Sequence, residues 1–327
     1  MKKLLALAAF SLLAAGIAAA RTPPDRVLLF PKLRVGQVLR YRIGYRETRN
    51  TTTDSNVAAP MAPQSGETNA DLLLQVEVED LRVDAGISLA RLRTTIVAPD
   101  PRKENQPARS SQAKSSPVAG ASPPAAKSVE LTLSANGHVS DVNGLDKLSP
   151  DEKAAWKEWV DRFGGGAAFP EKGIRPGEKW KSAEPIPNAL LAGLSWEKES
   201  EYVNNQPCSS MQVTPQGDPI ATPAPQESCA VILTTAVLKQ KSSPKNATPE
   251  DYKLHDLHNA GSAQGKNQVI SYFSLTTGLL VRSTEDANQS MNVTVATSNG
   301  SNSVHYSIAA ESHSRVQLLA GASSAKP

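Results

Sequence analysis

Leu39-Arg40-Tyr41-Arg42-Ile43-Gly44-Tyr45-Arg46 sets an aliphatic or aromatic side chain at every second position and fills the positions between with arginine, apart from Gly44. Side chains on a strand point alternately to its two faces, so this stretch specifies a strand with one buried and one solvated face. The same period recurs along the chain. Leu72, Leu74, Val76 and Val78 oppose Gln75, Glu77 and Glu79; Val129, Leu131 and Leu133 continue it; Trp196 and Tyr202 oppose Glu197, Glu199 and Glu201. Further strands are expected over 230–239, 269–275, 279–283, 291–297 and 304–310. The pattern gives a mainly β (α+β) protein: an antiparallel curved sheet or sheets, or half-barrels, in one or two repeats, with one amphipathic helix packed against the sheet.

That helix is signalled at both ends. Ser149 stands at the N-cap, Pro150 at the first helical position and Glu152 at the capping-box position, while Gly164 suits the end. Between them Trp156, Trp159, Val160 and Phe163 fall at i, i+3, i+4 and i+7, one face of a helix. Such a stripe needs a sheet to cover it. It either packs as core or lines an apolar ligand site, so these four residues are the candidate ligand-binding set.

Three polar, Pro-rich segments, Thr51–Gly66, Ala98–Lys127 and Gln206–Ser228, carry too little apolar surface to offset their chain entropy and are expected as mobile hairpin loops. In the first half they alternate with tight turns at Asp84–Gly86 and Asn136–Gly137, so a meander places those long loops on one rim. The organisation expected is a signal peptide (1–20), a first β half with two disordered loops (21–147), helix and connector (148–172), a second β half (173–320) and a disordered tail (321–327).

Two features suggest the repeat. Leu33-Arg34-Val35-Gly36-Gln37 followed by Leu39 matches Ile174-Arg175-Pro176-Gly177-Glu178 followed by Trp180, 141 residues later, and Gly137 matches Gly278 at the same offset. These lead-ins, the Asn136-Gly137 turn and Ser274-Leu275-Thr276-Thr277-Gly278-Leu279-Leu280 resemble an uncharacterised family of bacterial secreted β-rich proteins, over roughly Leu33 to Leu319. In plan that family is similar to half-barrel lipoprotein carriers and related lipid-binding envelope proteins, which implies a sheet wrapping a helix over an apolar cavity and no catalytic residues to carry over. The chain lacks the cysteine that would hold a lipid anchor.

Lys2 and Lys3 precede an apolar run from Leu4 to Ala19, with small residues at Ala18 and Ala20 before Arg21. This is the pattern of a bacterial secretory signal peptide cleaved between Ala20 and Arg21. The expected location is the periplasm or the exterior, with no transmembrane segment after cleavage. Loss of Lys2 and Lys3 from 35 Lys and Arg, against 32 Asp and Glu, leaves a nearly neutral chain, and that balance excludes a nucleic-acid-binding face. Export also explains the cysteines. Cys208 and Cys229 are the whole complement, and an even pair in an oxidising compartment reads as a disulfide, worth about 3 kcal/mol in the chain-entropy model.

Candidate chemistry is sparse. Asp251, His255 and His258 would share one face of a short helix capped by Thr248, as metal ligands with an open position. His305, Glu311 and His313 share the outward face of a strand. Ser111-x-x-Lys114 and Ser242-x-x-Lys245 lie in polar stretches without the rigid helix that a nucleophile site requires, and no other nucleophile or phosphate motif is complete. No cofactor is expected. The function read from the sequence is an exported, non-enzymatic envelope protein that binds or carries a lipid or other hydrophobic ligand between sheet and helix. The alternatives are a structural or partner-binding envelope protein acting through long loops and a metal-dependent hydrolase.

Overall fold

The computed structural model describes residues 26–57, 62–84, 87–97, 127–135, 137–164, 169–208 and 227–319. The expected signal peptide, nearly all of the 98–127 segment, residues 209–226 and the tail lie outside the described residues. The strands are β1 (Val38–Ser55), β2 (Gln64–Asp84), β3 (Ile87–Val97), β4 (Ser128–Ser134), β5 (Val139–Asn143), β6 (Lys179–Pro185), β7 (Leu194–Pro207), β8 (Ser228–Gln240), β9 (Leu257–Ser274), β10 (Leu280–Thr297) and β11 (Ser303–Leu318). Helix α1 (Pro150–Phe163) lies between β5 and β6, and a single turn, α2 (Glu250–Lys253), precedes β9.

All eleven strands form one curved, open antiparallel sheet in the order β5-β4-β3-β2-β1-β11-β10-β9-β8-β7-β6. Each half of the chain is a meander of neighbours. The last strand joins the halves by pairing with the first, Ile43 opposite Val316, and with β10, Ser283 opposite Val316. β5 and β6 therefore end at opposite edges, so the segment between them has to cross a face of the sheet. It crosses the apolar one, and α1 is the crossing.

Helix α1 begins as its sequence specifies. The Ser149 side chain accepts from the Glu152 amide, and the Glu152 carboxylate accepts from the Ser149 amide at 2.7 Å. Its end differs from expectation, because Gly164 takes a right-handed conformation (φ −71) and not the left-handed one. Trp156, Trp159, Val160 and Phe163 are buried against Tyr41, Leu74, Val76 and Leu92. Trp159 stacks on Phe163 with ring centroids 4.8 Å apart, and the Trp156 indole N–H donates to the Thr94 hydroxyl at 2.9 Å. A smaller core of Leu191, Leu194, Leu238, Ala247 and Val293 lies under the 186–194 and 241–249 connections.

Two expectations about loops are corrected. Thr51–Gly66 is not one long loop, since β1 runs to Ser55 and β2 starts at Gln64. Residues Thr51–Ser55 pair with Ile308–Val304, and β-branched threonines suit that ladder although hydropathy gives no hint of it. Likewise Leu279–Ser283 and Met291–Thr297 are the ends of one strand, β10. Alternation gives strands β3, β5 and β6 no span, but they follow the positions read as turns or strand entries, Asp84–Gly86, Gly137 and the Arg175 lead-in. Because neighbours alternate in direction, the β1–β2 and β3–β4 connections leave the same rim, while the Pro-rich β7–β8 connection leaves the other.

The 141-residue offset extends from sequence into hydrogen bonding. Gly36 and Gly177 have φ of +77° and +82°, a region open to glycine without strain. The Gly36 amide donates to Val78 O and the Gly177 amide to Tyr202 O, while the Gln37 and Glu178 amides return to Arg34 O and Arg175 O. Just beyond, β2 and β7 each carry a bulge, at Val78–Asp80 and Tyr202–Asn204. Both later turns are also packed: a Cβ at Gly278 would strike the carbonyl of Phe30, and one at Gly137 that of Gly164. Each half thus rests a tight turn on the chain leading into the other half.

Candidate ligand cleft

The concave face is apolar under α1 and turns polar toward β9, β10 and the upper half of β11. Tyr41, Ile43 and Tyr45 are followed inward by Glu47; Ser283, Glu285 and Ala287 share the face on β10; Ser312 and Ser314 share it on β11. Helix α1 covers the apolar part with its stripe and turns Ala154, Lys157, Glu158, Asp161 and Arg162 to the polar part. Between them is an open cleft of about 440 Å³, walled on its far side by Pro185, Ile186, Pro187 and Trp196. That volume is in the range of small-ligand sites.

A polar network forms its floor. Arg162 pairs with Glu285 and with Glu158 (3.4 Å), and all three are largely buried, their side chains 12%, 7% and 19% exposed. The Asn267 amide N–H donates to Glu285, and the Ser314 hydroxyl donates to Glu158 at 2.9 Å. Tyr45 donates to Glu47 at 2.5 Å, and burial together with that neighbour pushes the phenol up. Glu184 is held by Lys198 at the outer wall. Two buried atoms of the network, Asn267 Oδ1 and Arg162 Nε, have no partner among the described residues.

Asp161 stands beside this floor, one turn from Glu158. The residue is exposed, at the mouth of the cleft. Desolvation raises its carboxyl from 3.8 to about 6, with Lys157 and Arg162 opposing the shift.

The residues singled out in the sequence fall elsewhere. Trp156, Trp159, Val160 and Phe163 are brought together, but as packed core, with exposures of 3%, 0%, 7% and 1%; the open volume is beside them. Asp251, His255 and His258 are not brought together as a ligand set. Among the described residues no group of three His, Cys, Asp or Glu could hold a metal ion. The helix expected there stops after one turn because Thr248 does not cap it: its hydroxyl instead accepts from the Asn259 amide at 2.9 Å and so starts β9. His258 consequently lies on a strand, its ring nitrogens 3.2 Å from the Thr248 hydroxyl and the Lys245 carbonyl. Cys208 and Cys229 do meet, at disulfide distance with Cα atoms 4.9 Å apart, across the β7–β8 pair. Ala20 and Arg21 lie outside the described residues.

Sequence reasoning missed Glu285, Asn267, Arg162 and the cleft faces of Glu158 and Asp161. One signal was present: in β10 a glutamate occupies an inward position of an alternating strand, and buried carboxylates need partners.

No family model matches the sequence, and no curated protein matches it. Among solved structures, one described as that of a "putative lipoprotein" from Parabacteroides distasonis is similar at 9% identity, covering 90% of this chain and 98% of that chain with a TM-score of 0.28. At that score the likeness carries no argument about function. No described helix is long and apolar enough to cross a membrane.

Proposed function

We propose that this chain is an exported binding protein of the cell envelope that holds a small ligand in the cleft between α1 and the concave face of the sheet. The observation that carries this reading is the cleft: about 440 Å³ of open volume whose floor is a buried, cross-linked set of side chains from α1, β9, β10 and β11. Such a network costs desolvation, and nothing in the packing of α1 requires it, since the aromatic stripe already anchors the helix. Support for export comes from the charged and apolar pattern of residues 1–20 and from the paired cysteines. The ligand site moves from the Trp156–Phe163 stripe to the charged side of the same helix, because the stripe is packed.

Native mass spectrometry of the protein purified from its own envelope tests this, alongside Ala287→Trp, which fills the cleft from β10. The wild type should carry a small-molecule adduct that the filled variant lacks at an unchanged thermal midpoint. An adduct retained by the filled variant would place the ligand elsewhere, and no adduct on either would leave partner binding as the better reading.

A further inference from the structure

The charges and acceptors of the cleft narrow what it can hold. Two carboxylates, Glu158 and Glu285, share the single guanidinium of Arg162, and Glu285 is 93% buried, so the buried set carries one formal negative charge in excess. Around it the remaining charges balance: Glu184 pairs with Lys198, Glu47 with Arg49, and Asp161 stands one turn from Lys157 on α1. A buried uncompensated charge is costly, and a cation brought by a ligand would offset it.

The hydrogen-bonding groups left over leave one place for the ligand's own donor. Because the Asn267 N–H group is committed to Glu285, the free atom of that amide is its oxygen, a buried acceptor with no donor. Asp161, exposed at the mouth of the cleft, makes no hydrogen bond or ion pair within 4.0 Å among the described residues; desolvation raises its carboxyl, with Lys157 and Arg162 opposing the shift. The unpartnered buried atoms of the network are thus one acceptor and one donor, Arg162 Nε, and what the cleft is short of is positive charge. Its far wall is apolar: Pro185, Ile186, Pro187 and the half-buried indole of Trp196, which is seated on Gly265, a position where a Cβ would meet the indole at 2.8 Å. An indole face next to acidic groups suits a cation and the apolar carbons bearing it.

Resting on the cleft being the binding site, we infer that its ligand is an organic cation, an ammonium or guanidinium on a compact apolar body, with the charged group toward Glu158, Asp161 and Asn267 and the body against Trp196. Hexylammonium and hexanoate share a chain and differ in the sign of the head group, which makes them the decisive pair. Calorimetric titration of the mature chain at low ionic strength should give saturable binding of hexylammonium and none of hexanoate. Asp161→Asn and, separately, Glu158→Gln should each weaken hexylammonium about tenfold, as loss of one charge-assisted hydrogen bond does. Quenching of Trp196 fluorescence, assigned with Trp196→Phe, should follow the same isotherm. Hexanoate binding as tightly as hexylammonium, or hexylammonium unaffected by both carboxylate changes, overturns the inference. If neither probe binds but Ala287→Trp displaces a native adduct, the cation class fails and the cleft stands; if no adduct exists either, both fail.

Discussion

Asp161 shows how one side chain couples the cleft to stability. Its carboxyl is raised from 3.8 to about 6, so the folded chain holds a proton that the unfolded chain releases over that window. Folding stability attributable to this residue is accordingly highest below pH 4, falls as the pH rises through 4 to 6, and stays lowered above it. Asp161→Asn should therefore raise the urea midpoint at pH 7.5 and leave it unchanged at pH 3.5. Equal midpoints at pH 7.5 would show that the carboxylate is solvated well enough to ionise without cost. Glycine acts at the same scale but through shape: Gly278 allows the Phe30 carbonyl to approach its turn, and Gly265 leaves room for the tip of the Trp196 indole. At both positions the neighbour that imposes the glycine comes from a distant part of the chain.

At the scale of elements, α1 is where sequence and structure agree most closely. Its bounds, N-cap and capping box are those specified by Ser149, Pro150 and Glu152, because capping is a contest among adjacent backbone groups and needs no distant partner. The helix also separates two kinds of interaction by magnitude. Ser149→Ala removes one cap and should cost about 1 kcal/mol. Trp159→Ala leaves a cavity among Tyr41, Trp156 and Phe163 and should cost about 3–5 kcal/mol. Denaturant unfolding of the two variants checks the ratio, and near-equal losses would mean that the core collapses around the missing indole. The Thr248–His258 segment shows the opposite case: a plausible local cap is overruled because the Thr248 hydroxyl has a better use in the backbone of β9. A three-ligand face that existed only on a helix disappears with the helix.

Across the whole molecule, stability is set by where each strand lies in the sheet. β1, β11 and β10 are central and paired on both sides, whereas β5 and β6 are paired on one side only. Native-state hydrogen exchange should then be slowest in Tyr41–Tyr45, Glu285–Ala287 and Ser314–Val316 and fastest in Val139–Asn143 and Lys179–Pro185. Protection at β5 or β6 equal to that of β1 would mean that a second chain covers the open edge. The sequence by itself determined the alternating strands, the apolar stripe and caps of α1, the pairing partners available to Cys208 and Cys229, and the 141-residue echo, because each depends on residues near in sequence or on a period that one strand or helix imposes. Only the tertiary structure decided that β11 inserts between the halves, that Thr51–Ser55 continues β1, that α1 lies across the central strands β2, β1, β11 and β10, and that Glu158, Asp161, Arg162, Asn267 and Glu285 converge. Those outcomes depend on which surfaces remain to be covered once the whole sheet has curved, and pairings between residues more than a hundred positions apart leave no period in the chain.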